Sequence, residues 1–248
     1  KKDINFGNGP VAPYLIRPPK FDFQIDYDDT EVEFHKYNSN RKVDLVFMID
    51  GTNSMRFFLD AARDSCINVA EECHTNFPNS VFRFGAVIYR DQAVSDRIQY
   101  HKKEPVEKSL LDEDPEILHE FLSNINPKGG GGDGPEDWVS GYRSLLKEMN
   151  WNRDSTKIVI HICDAPGHGT TFTAEDKYIR IIRKIPSFRR NNSFIQNLHI
   201  YDEIQANQDA QFRSLIEQAA KQEIMFFCMN GKRNAMYCFK RTQQIYYE

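Results

Sequence analysis

The chain has 248 residues, of which 40% are hydrophobic and 27% are charged, and its formal net charge is −4. This length is enough for one α/β domain with a full hydrophobic core that needs no disulfide bonds or structural metals to fold. The slight negative charge argues against a protein dedicated to nucleic acids or anionic membranes, and no apolar run approaches the ~20 residues of a membrane-spanning helix.

The first 40 residues differ from the rest of the chain. Four prolines fall between positions 10 and 19, and acidic and aromatic residues are scattered through the remainder. This composition predicts an extended arm over residues 1–40 with a short strand near Phe21–Ile25, followed by a folded domain over 41–248. The aromatic side chains favour an arm that packs on the domain over a linker from a longer protein.

The rest of the chain alternates apolar strands with amphipathic helices. The apolar run 43–49 predicts a strand buried on both faces, and the three- and four-residue spacing of apolar positions from Met55 to Cys73 predicts a helix. Further strands are predicted at Phe82–Arg90, Arg97–His101, Lys157–Cys163 and Ile224–Met229, and further helices at Pro115–Ile125, Trp138–Met149, Tyr178–Ile185, Asp209–Gln222 and 232–248. Such alternation predicts a doubly wound, Rossmann-like α/β fold: a mostly parallel central sheet with helices on both faces and one antiparallel edge strand.

Oxygen-bearing side chains follow the predicted strands at the edge where binding sites of open α/β sheets lie. Asp50, Thr52 and Ser54 come directly after the first buried strand, and Asp164 follows the strand Lys157–Cys163. Asp133 comes after four glycines, just before the helix that begins near Trp138. Each residue could separately cap a helix. Three acidic residues at one edge, however, repel one another unless a cation lies between them, and oxygen ligands suit Mg²⁺ first, with Ca²⁺ or Mn²⁺ as alternatives.

The three segments VDLVFMIDGTNSM, GGGGDGPED and HICDAPGHG, taken in order, resemble the von Willebrand factor type A (VWA) domain and its metal-ion-dependent adhesion site. They are similar in particular to the VWA domains found beside protist alpha-type protein kinases, and the resemblance covers roughly residues 42–240. It implies an intracellular, cytoplasmic protein-interaction module without enzymatic activity. It also implies a divalent cation held by Asp50, Thr52, Ser54 and Asp164.

The glycine-rich loop departs from the family pattern. In the adhesion-type site a neutral threonine occupies this loop, and an acidic side chain of the partner protein completes the coordination of the metal. This chain has Asp133 instead, which either binds the metal directly or contacts the residues that bind it. A further carboxylate strengthens cation binding and weakens the attraction for an acidic partner, so we expect metal binding more firmly than capture of a partner's carboxylate.

Two other functions are compatible with the same residues. The chain could be a scaffold subunit of a larger assembly in which the metal only organises loops. A metal-dependent phosphoryl hydrolase is disfavoured, because the haloacid dehalogenase-type phosphatases need a second aspartate as general acid where this chain has Thr52. No nucleophile elbow, Walker-type loop or kinase motif is present, so any kinase activity would lie outside this chain.

The cysteines and the histidine nearest the motifs are expected to be structural. The five cysteines show no CxxC spacing, which predicts buried thiols and favours a reducing compartment. His168, in the loop that contains Asp164, is expected at the rim of the site, since imidazole suits softer ions than Mg²⁺.

Overall fold

The computed structural model describes residues 14–17, 41–95, 99–103, 106–129, 135–169, 209–230 and 234–248. Its strands are β1 (Tyr14–Ile16), β2 (Lys42–Asp50), β3 (Val81–Tyr89), β4 (Gln92–Ser95), β5 (Gln99–Lys103), β6 (Glu107–Asp112), β7 (Thr156–Cys163) and β8 (Met225–Asn230). Its helices are α1 (Arg56–Asn76), α2 (Pro115–Ser123), α3 (Trp138–Lys147), α4 (209–221) and α5 (Asn234–Tyr247). A short 3₁₀ turn at Asn53–Met55 leads into α1.

Six strands form the central sheet, in the order β1-β8-β7-β2-β3-β6. The four inner strands are parallel, whereas β1 and β6 pair antiparallel at the two edges. The predicted α/β class with a mostly parallel sheet is confirmed, but the sheet has two antiparallel edge strands where one is predicted. Both escape sequence analysis because β1 is only three residues long and β6 alternates buried and exposed positions within a short, polar segment.

The remaining differences from the predicted elements are local. The strand predicted at Arg97–His101 corresponds to β5, which pairs with β4 in a separate two-stranded ribbon and is not part of the central sheet. The arm contributes β1, and its fully buried Ile16 belongs to the core. The strand predicted at Phe21–Ile25 and the helix predicted at Tyr178–Ile185 lie outside the described residues.

Two core clusters cover the two faces of the sheet. Alternate residues of β2 divide between them: Leu45, Phe47 and Ile49 pack with α1 and α2, whereas Val46 and Met48 pack with α3, α4 and α5. This division explains why β2 is apolar without interruption, as expected for a strand covered by helices on both sides. Four of the cysteines are buried in these clusters, the fifth is partly buried and all are free thiols, in agreement with the sequence prediction.

The register of the inner strands brings their carboxyl ends to one edge. Ile49 of β2 lies opposite Ile162 of β7, and Asp50 lies opposite Tyr89 of β3. The segments that follow these three strands therefore start side by side. None of the described helices is long and apolar enough to cross a membrane.

Candidate metal site at the carboxyl edge of the sheet

Asp50 and Thr52 form the centre of the site. Asp50 is the last residue of β2 and is fully buried. Its Oδ1 atom accepts a hydrogen bond from the backbone N–H of Thr52 at 2.9 Å and another from the Thr52 hydroxyl at 2.7 Å. These two bonds fix the carboxylate and place the buried Thr52 hydroxyl beside it.

Ser54 connects this pair to the neighbouring strand. The Ser54 hydroxyl lies 3.1 Å from Oγ1 of Thr52 and donates to Oδ1 of Asp164 at 2.9 Å. Asp164 directly follows β7 and is 3% exposed. Close oxygen–oxygen contacts thus join four of the five predicted site residues. Since the Thr52 and Ser54 protons are donated to Asp50 and Asp164, the two hydroxyl oxygens face each other with lone pairs. The fifth, Asp133, lies outside the described residues, so its place at the site stays a prediction.

The second oxygen of Asp50 distinguishes the site electrostatically. Oδ2 of Asp50 is buried and has no hydrogen-bond partner within the part of the chain that the structure describes. The pKa of Asp50 is raised from 3.8 to about 7, because burial and, to a smaller extent, the charges of Asp164 and Asp91 raise it by more than the two hydrogen bonds from Thr52 lower it. A buried carboxylate in such surroundings either binds a proton or needs a cation beside it.

The donor atoms fit a hard divalent cation. Across the described ranges, no group of three or more acidic, histidine or cysteine side chains is placed to hold a metal ion. The site consists of two carboxylates and two hydroxyls, so it depends on the oxygens of Thr52 and Ser54 as well as on the acidic residues. Carboxylate and hydroxyl oxygens are the kind of donor that a hard cation such as Mg²⁺ prefers.

Sequence analysis missed a third acidic residue at this edge. Asp91 follows β3 and is buried, and its Oδ1 atom lies 2.7 Å from Nε2 of His168. His168 thus pairs with a carboxylate at the rim of the site. The signal was available, because the strand was predicted to end at Arg90 and Asp91 comes next, as Asp50 and Asp164 do at their strands.

Comparison with known proteins identifies one curated relative, and no family model matches the chain. Over 146 residues, 58% of this chain, it is 32% identical to alpha-protein kinase vwkA of Dictyostelium discoideum. The match covers 22% of that kinase, so the chain spans about a fifth of its length. By its name, this relative is an alpha-type protein kinase. That is the class of kinases whose neighbouring VWA domains the three sequence segments resemble.

Similar solved structures include three proteins of different origin. Proximal thread matrix protein 1 of the mussel byssus has a TM-score of 0.39 at 17% identity, with 53% of this chain and 33% of that chain covered. The pilus adhesin SpaC of Lactobacillus rhamnosus GG has a TM-score of 0.38 at 16% identity over 51% and 15% of the two chains. BatB of Bacteroides thetaiotaomicron has a TM-score of 0.35 at 14% identity over 48% and 52%. At scores this low, nothing about the function of this chain follows from them.

Proposed function

We propose that this chain is a VWA-type interaction module that binds a divalent cation, Mg²⁺ first, at the carboxyl edge of its sheet and contacts a partner protein there. The observation that supports it best is the continuous set of oxygens from Asp50 to Asp164, with Oδ2 of Asp50 buried and without a hydrogen bond from any described residue. A cation supplies the positive charge that this arrangement lacks.

The residues have separate roles in this proposal. Asp50, Asp164 and the hydroxyls of Thr52 and Ser54 hold the cation, with Asp133 as a candidate further ligand. The bound cation offers a coordination position to an acidic side chain of the partner. Thr52 orients the Asp50 carboxylate, and Ser54 joins the loop after β2 to Asp164.

An exposed aromatic side chain beside the site supports a protein partner. Phe57 is 89% exposed and lies three positions after Ser54, in the first turn of α1. Aromatic residues, phenylalanine included, are enriched at protein interfaces relative to the rest of the surface. We expect the partner to contact Phe57 together with the metal edge.

Metal binding can be tested with a pair of matched variants at the two ends of β7. Asp164→Asn keeps an oxygen that can accept from Ser54 but removes the negative charge at the carboxyl end of β7. Asp154→Asn makes the same change at an exposed position just before the other end of β7. Thermal denaturation is followed for both variants and for the wild-type protein while Mg²⁺ is added.

We expect Mg²⁺ to stabilise the wild-type protein, by about 2.7 kcal/mol at a hundredfold excess over the dissociation constant. The Asp154→Asn variant should respond equally, and Asp164→Asn should respond weakly or not at all. A wild-type protein indifferent to Mg²⁺ would refute the metal-dependent module.

The rival functions predict different results in the same samples. Partner binding that survives both EDTA and Asp164→Asn would favour a scaffold whose metal only organises loops. Hydrolysis of a simple phosphate ester by the wild-type protein, lost in Asp164→Asn, would favour an enzyme. We expect no such turnover and place any kinase activity of the parent protein outside this chain.

A further inference from the structure

Three loops meet at the backbone carbonyl of Gly51, between the first two residues of the metal site. Gly51 accepts hydrogen bonds from Nε of Arg90 at 3.2 Å and from the backbone N–H of Lys128 at 3.1 Å. The backbone N–H of Asn53 donates in turn to the carbonyl of Gly129 at 3.3 Å. The loop after β2 is thus joined both to the end of β3 and to residues that lead into the glycine-rich loop.

A cluster of charged side chains contacts this junction and links its segments. The Arg90 side chain is completely buried, and its Nη2 atom donates to the carbonyl of Asn126 at 3.3 Å. Its Nη1 atom forms an ion pair with Glu107 at 2.6 Å, and the same Glu107 oxygen lies 3.0 Å from Nζ of Lys128. Glu107, at the start of β6, thereby connects the two basic residues that reach Gly51.

Both glycines at the junction are required by its geometry. A Cβ atom on Gly51 would lie 2.5 Å from Cγ2 of Ile88 and 3.3 Å from the Arg90 guanidinium. Gly129 has a φ of 75°, a left-handed conformation that side chains rarely adopt. The chain therefore has a residue without a side chain at the two backbone carbonyls, those of Gly51 and Gly129, through which the loops are joined.

We infer that Glu107, Arg90 and Lys128 form a loop clamp that positions the metal-binding loop against residues 126–129 and so sets the affinity for the divalent cation without contacting it. The inference rests on the proposed function, since it concerns the same site. Gly51 lies between Asp50 and Thr52, so a fixed Gly51 peptide also fixes the residues on either side. Residues behind metal ligands commonly act in this way, by holding the ligands in their binding geometry.

The clamp and a simple charge effect predict opposite results for Lys128. We measure the dissociation constant of Mg²⁺ by calorimetry for the wild-type protein, Glu107→Gln and Lys128→Gln. If only long-range charge matters, loss of the lysine tightens Mg²⁺ binding and loss of the glutamate weakens it. With the clamp, both variants bind more weakly: about tenfold for Glu107→Gln and about threefold for Lys128→Gln, whose ion pair is half exposed.

Glu148→Gln is the matched control. Glu148 forms an ion pair with Lys108 at 2.5 Å, so this variant removes the same charge and the same type of contact away from the loop junction. We expect less than a twofold change in the Mg²⁺ dissociation constant. A change equal to that of Glu107→Gln would overturn the clamp.

A second measurement needs no metal. Amide hydrogen exchange by NMR in EDTA should be faster in Glu107→Gln than in the wild-type protein at Asn53 and Lys128, whose N–H groups cross between the loops. The clamp requires both results, weaker Mg²⁺ binding and faster exchange, and either one alone overturns it. Mg²⁺ binding that is intact in all variants overturns the clamp and leaves the proposed function standing, whereas a wild-type protein that binds no Mg²⁺ refutes both.

Discussion

Two aspartates on the same strand show opposite electrostatic environments. Asp44, near the start of β2, and Asp50, at its end, are both buried. Asp44 accepts two hydrogen bonds from the guanidinium of Arg83, at 2.8 and 2.7 Å. It also accepts from the backbone N–H of Asn152 at 2.7 Å and from the Ser155 hydroxyl at 2.6 Å.

Among the described residues, Asp50 has only Thr52 as a hydrogen-bond donor, and its second oxygen has none. The charge of Asp44 is neutralised within the fold, whereas the acidic neighbours of Asp50 add to its negative charge. Burial alone therefore does not identify a binding residue. The useful sign is a buried carboxylate that the protein leaves without a compensating positive charge.

The largest effect on folding is expected at Asp44. Asp44→Asn removes the negative partner of Arg83, and breaking a buried ion pair leaves a poorly compensated charge. We expect the free energy of unfolding to fall by about 3 kcal/mol, measured by urea denaturation. The stabilisation by Mg²⁺ should persist, because Asp44 lies at the opposite end of β2.

Asp154→Asn serves again as the control, with an expected change within about 0.5 kcal/mol. Comparable losses in the two variants would show that the Asp44 network contributes nothing special. The double variant Asp44→Asn/Arg83→Met should lose less than the sum of the single variants, since it removes both charges.

In metal-free protein, we expect substitution of Asp50 to increase the free energy of unfolding, in contrast to substitution of Asp44. Because the folded-state pKa is raised from 3.8 to about 7, the stability that Asp50 contributes is present at acidic pH and lost as pH rises towards 7. Asp50→Asn removes this loss and retains an oxygen that can accept from Thr52. In EDTA, the variant should gain about 2 kcal/mol over the wild-type protein between pH 5 and pH 8, measured by urea denaturation.

The same variant should no longer respond to Mg²⁺. A wild-type protein whose stability relative to Asp50→Asn is the same at both pH values would contradict the electrostatic account of Asp50. The Asp164→Asn experiment would then still test metal binding by itself.

A buried histidine on the neighbouring strand makes folding stability depend on pH in the direction opposite to Asp50. His161 of β7 lies between two buried tyrosine hydroxyls, 2.9 Å from that of Tyr89 and 3.2 Å from that of Tyr142, and burial lowers its pKa to about 3. The unfolded chain takes up a proton below pH 6.5 and the folded protein does not. The stability that neutral His161 contributes is therefore present above pH 6.5 and is lost as pH falls.

We expect this loss to be about 1 kcal/mol between pH 6.5 and 5.5, relative to His161→Gln. Urea denaturation at the two pH values measures it. Asp50→Asn and His161→Gln should therefore alter the pH dependence of stability in opposite directions. Identical pH profiles for the wild-type protein and His161→Gln would contradict the buried, neutral histidine.

Strong local patterns were predicted nearly to the residue. The strand predicted at Phe82–Arg90 is β3, Val81–Tyr89, and the helix predicted at Pro115–Ile125 is α2, Pro115–Ser123. β3 is buried almost without interruption and α2 buries Leu118 and Leu122, four residues apart, so the local hydrophobic pattern alone reveals them. β1 and β6 were missed because an edge strand depends on pairing with a distant partner, Cys228 for Tyr14 and Ile88 for Glu107, and such pairing leaves little trace in a short segment.

The alternation of strands and helices along the chain and the oxygen-bearing residues that follow the buried strands were determined by the sequence itself, because parallel strands bring the residues that follow them to one edge. The tertiary structure decided which carboxylates keep an uncompensated charge. Asp44 and Asp50 are the same residue in the same apolar strand, and only the folded protein brings Arg83, Asn152 and Ser155 to one and leaves the other beside Asp164. The environment of a buried charge is set by residues distant in the chain, and no local pattern specifies them.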